Sequence, residues 1–284
     1  MGSEMCIRDR PYVDPAHTDG GTPVAFASDP ALGPITDPYF RGYDNVFPDF
    51  FREKEWEREF EGYVDAGNLP GLELVRLPHD HTGDFATALY GVNTPELQQA
   101  DNDYAVGMLV EKVAASPYAG STLIVVVEDD AQNGPDHVAA NRSVVFFAGP
   151  CVKQGALVST RYSTVNLIRT LEDVLGIQPL NVFDAYQRPM SDVFDVAQKS
   201  WSYTATASAL LKNTTLPIAT ASLEPGLLRP RHGPAYWARV MKEFDFSVAD
   251  RLDSVRYNLL LWRGLMGERP YPTARDGRDL RGNR

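Results

Sequence analysis

The stretch "TLIVVVEDDAQNGPDHVAANRSVVFF", residues 122–147, decides how the rest of the chain is read. Two apolar, β-branched runs flank a segment holding Glu128, Asp129, Asp130, Asp136 and His137. Runs of that kind fit the middle of a sheet buried on both faces, which predicts strands at 122–128 and 143–149. Carboxylates crowded at the tip of such a strand repel one another and cannot all stay ionised cheaply. A cation removes the conflict. The calcium-loop pattern is matched by Asp129, Asn133 and Gly134 but fails at Ala131 and Ala140, where ligands belong. A mixed Asp and His set better suits a catalytic site for a divalent metal, with Zn, Mn, Mg, Ca and Fe all open.

Upstream, "GLELVRLPHDHTGD" (71–84) reads as a strand at 72–77 running into a polar turn with His79, Asp80, His81 and Asp84. The chain has 5 histidines, and three of them fall in these two segments. Two carboxylate-and-imidazole clusters, each following a strand, make the minimal pattern of a one- or two-metal hydrolase. Helices alternate with the strands. "PDFFREKEWEREFEGYVDAG" (48–67) carries Phe51, Trp56, Phe60 and Tyr63 as an apolar stripe and stops near Gly67. "NTPELQQADNDYAVGMLVEKVAAS" (93–116) offers Thr94 as N-cap and Pro95 in the first turn, with Ala105, Met108, Leu109 and Val113 on its buried face. "STVNLIRTLEDVLG" (163–176) is capped by Ser163 or Thr164 and stopped by Gly176. The alternation predicts an α/β fold with a mainly parallel sheet flanked by helices, its chemistry in loops beyond the strands' carboxyl ends. Residues 198–232 read as a wrap-around connection, and the segments after 232 as helices over the sheet's flank.

The net charge of −11, from 27 basic and 38 acidic residues, argues against nucleic acid or an anionic membrane as a partner. No apolar run is long enough for a transmembrane helix. Two cysteines, Cys6 and Cys151, imply no disulfide framework. The opening "MGSEMCIRDR" resembles translated sequencing-adaptor read-through, so residues 1–10 are expected to be a non-native tail.

Taken together, "LPHDHTGD", "ADNDYAVGMLVEKVAASP", "TLIVVVEDDAQNGPDHVAANRS" and "GPCVKQGALVSTRYSTVNLIRTLEDVLGIQPLNVFDAYQRPMSDVF" resemble the phosphoesterase family of the alkaline phosphatase superfamily. That family includes phospholipase C-like enzymes and acid phosphatases. The resemblance runs from about residue 46 to 272 and is specific between 76 and 194. It implies that residues 11–197 are the C-terminal part of an alkaline phosphatase-like catalytic domain, with 198–284 an extension packed on it. Asp129 and Asp130 match the acidic pair that holds the metal beside the nucleophile, and Asp136 and His137 match the Asp-His-Val motif. Asp80 and His81 match the Asp-His-Thr motif, which lines the same pocket and is a candidate second metal position. Asp136 is open between ligand and orienting partner, and Arg142 is the phosphate-binding candidate.

Two departures stand out. His79 replaces the family's usual Asn, and Asn141 stands where a His usually precedes the arginine. The resemblance also puts the Ser or Thr nucleophile and a further acid in a portion that would precede this sequence, with a β-propeller upstream in some members. The expected whole is an extracytoplasmic, metal-dependent hydrolase of phosphate esters that works through a phospho-enzyme. This chain by itself is expected to be inactive. A sulfatase or phosphomutase of the same superfamily, or a non-catalytic metal-binding module, are the rival readings.

Overall fold

The computed structural model describes residues 23–128, 143–248 and 251–271. Its frame is a pair of long helices, α1 (Asp49–Ala66) and α2 (Pro95–Ala114), packed side by side. The sequence signals for both are local ones. Thr94 Oγ1 accepts from Leu97 N to start α2, and α1 ends where Gly67 takes the left-handed conformation (φ 65°) and donates to Tyr63 and Val64 carbonyls. Phe50, Phe51, Trp56 and Phe60 of α1 are buried against Leu97, Tyr104, Met108, Val110 and Val113 of α2. Each such side chain contributes roughly 1.5–3 kcal/mol of apolar burial.

The sheet departs from the parallel arrangement the sequence suggests. Among the described residues it consists of two strands, β1 (Ile124–Val127) and β2 (Val145–Ala148), paired antiparallel with Ile124 opposite Ala148 and Val127 opposite Val145. The expected strand at 72–77 does not form: Leu74 is 91% exposed, and Glu73 instead accepts a hydrogen bond from Trp56 Nε1 at 3.0 Å. Of the apolar residues that suggested this strand, Val75 packs beside Trp56 and Phe60, whereas Leu72 and Leu74 are exposed. The β-branched runs misled for a related reason. Such runs mark a parallel central strand when both faces are covered throughout, but Phe146 is 63% exposed and no third strand joins the pair among the described residues.

Ile124 and Val126 pack with α1 and α2, while Val125 and Phe147 pack towards Leu167 of α3 (Thr164–Leu175). As the sequence indicates, α3 is capped by Ser163 and stopped by Gly176 in the left-handed conformation. A single turn of helix, α4 (Val182–Ala185), follows. The connection after 198 crosses α1 and α2, burying Ala205, Ala207, Leu211 and Leu216 in their core. The last helices, α5 (Pro234–Val240) and α6 (Ser254–Met266), were expected on the sheet. They pack instead with Phe85, through Trp237, Met241, Phe246 and Tyr257. No described helix is long and apolar enough to cross a membrane.

Candidate metal centre

Helix α1 begins at Pro48 with no side-chain cap of its own. Its first free N–H groups, of Asp49 and Phe50, donate instead to the carboxylate of Asp101 in α2, at 2.6 and 3.1 Å. Asp101 also accepts from His79 Nδ1 at 2.7 Å, and His79 Nε2 points at the Asn45 carbonyl at 3.1 Å. Both ring nitrogens therefore face oxygen atoms, an arrangement that the imidazolium satisfies. Burial opposes that charge, but the neighbouring Asp49 and Asp101 carboxylates prevail and hold the His79 pKa above its ordinary value. Burial pushes the Asp101 carboxyl up, and the His79 ring and the Asp49 amide work against that shift; the three N–H groups directed at its two oxygens favour the ionised form.

Asp49 completes the knot. It accepts from Arg52 Nη1 at 2.9 Å, from the His79 amide at 3.0 Å and from Asn102 Nδ2 at 2.9 Å. The fully buried Arg52 guanidinium gives its remaining donors to the carbonyls of Arg41, Gly42, Asp44 and Phe47. Two carboxylates against one guanidinium and one imidazolium leave the group neutral. That balance is what makes burial affordable for four ionised side chains.

Asp49, His79 and Asp101 each offer a ligand atom, and these atoms lie within 4.8 Å of one another, so this buried group could hold a metal ion. Among the described residues it is the one such cluster. An ion entering there must first expel the His79 proton and break its bond to Asp101, so any binding is tied to pH.

The same knot seats the "HDHT" motif. Residues Pro78–His81 form a 3-10 turn lying on α2. Asn102 Nδ2 donates to the Leu77 carbonyl at 2.8 Å, and Gln99 Nε2 to the Asp80 carbonyl at 2.9 Å. Gln98 brackets Gly83 with bonds to both its N–H (2.8 Å) and its carbonyl (2.7 Å). His79 is thereby turned fully inward, while Asp80 and His81 stay half-buried at the lip. The His81 ring meets Tyr43 edge-on at 5.3 Å, and the Arg76 guanidinium lies 5.5 Å from the same Tyr43 ring.

The backbone after His81 is unusual. Thr82 has φ 40° and Asp84 has φ 51°, values costly for side chains with a Cβ, on the order of 1–3 kcal/mol each. Gly83 between them is obligatory, because a Cβ there would lie 2.3 Å from the Phe246 ring. Burial, with Asp44 and Asp245 nearby, pushes the Asp84 carboxyl up to about 6.

Of the sequence candidates, Asp80 and His81 are therefore neighbours at one lip. Asp129, Asp130, Asp136, His137 and Arg142 lie outside the described residues. The sequence reading missed Asp49 and Asp101 altogether; it counted His79 in the polar turn but gave it no ligand role, noting it as a departure from the family motif. The signal was weak: Gln98, Asp101 and Asn102 share one face of α2 at i, i+3, i+4 spacing, but Glu96, Gln99 and Asp103 are polar too and mask the stripe. Compared with family models, curated proteins and solved structures, the chain matches none.

Proposed function

We propose that this chain carries the metal-binding portion of a divalent-metal-dependent phosphoric ester hydrolase that works outside the cytoplasm. The reading rests on motif residues and makes no claim about sheet topology. The observation that carries it is the turn itself: Asp80 and His81 are half-buried while the backbone around them is clamped by three side-chain amides of α2, those of Gln98, Gln99 and Asn102. Preorganised carboxylate and imidazole donors of this kind suit a hard or borderline divalent ion. Asp129, Asp130 and His137 supply the remaining ligands on the motif resemblance, with Asp136 as ligand or orienting partner and Arg142 as the phosphate clamp. When bound, the ion supplies positive charge against the phosphoryl oxygens. The chain's own part is to hold Asp80 and His81 in place; the nucleophile belongs to the portion that the resemblance puts upstream.

A non-catalytic metal-binding module is the second reading, favoured by the Asp49–His79–Asp101 group, which is buried with no exposed atom for a substrate to reach. Calorimetric titration with Mn²⁺ separates the two. The hydrolase reading expects Asp80→Asn and His81→Ala to weaken binding by about tenfold or more, with Asp49→Asn acting mainly on stability. Equal affinity in wild type, Asp80→Asn and His81→Ala removes the lip from consideration. Binding that disappears only with Asp49→Asn, and that strengthens as pH rises, favours the module.

A further inference from the structure

Tyr257 of α6 is buried in the C-terminal aromatic cluster but reaches beyond it. Its hydroxyl lies 2.6 Å from the Thr82 carbonyl and 3.0 Å from the His81 carbonyl, and is also hydrogen-bonded to Thr82 Oγ1. A phenol has one proton, so it donates to the carbonyls while the Thr82 hydroxyl donates back to it. The Thr82 contacts span 175 residues and fall on a β-branched residue held at positive φ, the one such among the described residues. A threonine at φ 40°, ψ 124° persists only where its surroundings over-determine it. Gln98 fixes the Gly83 side of that bend, and Tyr257 fixes the His81 side.

Resting on the hydrolase reading above, we propose that Tyr257 is a positioning residue for the Asp80–His81 pair, so that the C-terminal helix α6 forms part of the metal-binding site. Tyr257 touches no reacting atom. It sets where the two ligand side chains leave the backbone. The ring is held for that task by Phe244 and Phe246, whose centroids lie 5.7 and 6.1 Å from its own. Burial raises the phenol pKa, which keeps the hydroxyl protonated and able to donate at any physiological pH.

The test compares the full chain with its Tyr257→Phe and Phe60→Leu variants. Mn²⁺ affinity is measured by calorimetry and local order by amide hydrogen exchange. Tyr257→Phe keeps the ring and removes only the hydroxyl. It is expected to weaken Mn²⁺ binding by about tenfold, the effect typical of groups that orient ligands, and to speed exchange at residues 80–84 without changing α2. Phe60→Leu, in the separate core between α1 and α2, should lower thermal stability and leave Mn²⁺ affinity unchanged. Wild-type affinity in Tyr257→Phe, alongside lost affinity in Asp80→Asn, overturns the positioning role and leaves the hydrolase reading intact. Faster exchange throughout the chain in Tyr257→Phe overturns it too, since that marks a general structural role. No effect of Asp80→Asn or His81→Ala on binding brings down the hydrolase reading, and this inference with it.

Discussion

The knot around His79 and the β1–β2 hairpin are both packed against the α1–α2 pair, yet they deal with solvent in opposite ways. Around His79, charged side chains are interior and every one has its partners. At the hairpin and along the α3–α4 corner, apolar side chains lie outside: Phe146 is 63% exposed, Phe183 74% and Tyr186 86%. The contrast separates two sources of order. The knot is held by directional bonds that admit one arrangement. The hairpin is held by non-directional apolar packing, through Ile124 and Val126 on α1 and α2 and through Val125 and Phe147 on α3, with Phe146 left largely outside.

The largest expected effect is at the knot. Asp101→Asn leaves Arg52 and His79 with one counter-charge between them and weakens the start of α1. Breaking a buried ionic group in this way costs about 3–5 kcal/mol, to be read from urea denaturation. A loss below about 1 kcal/mol, the size of a surface pair, would mean that the knot is no more than a polar veneer.

Glu53 sharpens the comparison from within α1. It is 1% exposed, its oxygens make no hydrogen bond, and its nearest cation is Lys54 Nζ at 3.3 Å. Burial outweighs Lys54 and raises its pKa to about 7. The folded chain thus binds this proton more tightly than the unfolded chain does. The associated stability is complete below about pH 4.5 and is lost as pH rises through about 7, up to roughly 3 kcal/mol in all. His79 acts with the same sign at higher pH, its contribution fading as pH climbs past its raised pKa. Glu53→Gln is expected to flatten the stability curve between pH 4.5 and 7 and to stabilise the chain at pH 8. An unchanged slope in pH-dependent denaturation would show that Glu53 is solvated in solution.

The smallest effect is expected at the hairpin. Phe146→Ser should change unfolding free energy by no more than about 0.5 kcal/mol, while lowering self-association in light scattering. A large loss of stability would show that this face is covered in solution, and would erase the contrast with the knot.

The three long helices were legible because their signals are local: Thr94 with Pro95, Ser163 with Gly176, and Gly67 after an aromatic stripe. Strand positions 124–127 and 145–148 were legible from β-branching, but their direction was not. Direction depends on which strands pair, and a two-stranded antiparallel pair leaves the same residue pattern as two neighbours in a parallel sheet. The turn at 79–84 was recognised as a motif, although its strain and its clasp by Tyr257 were invisible. Those contacts join residues 175 positions apart. Asp101 was hidden for the same reason, since its partners Asp49 and His79 stand 52 and 22 positions away.

The carboxylate of Asp101 at the head of α1 has a consequence for how the chain can be divided. A helix whose first turn is completed by another helix is not a transferable part. An excised peptide covering 45–67 would lack the acceptor for its two leading amides and should fray from that end in water. In the intact protein those same amides, of Asp49 and Phe50, can exchange their hydrogens only when α1 and α2 separate. Their exchange rates therefore report the opening of the helix pair, and the order in which the two helices come together during folding has one fixed clause: α1 acquires its beginning only after α2 has arrived.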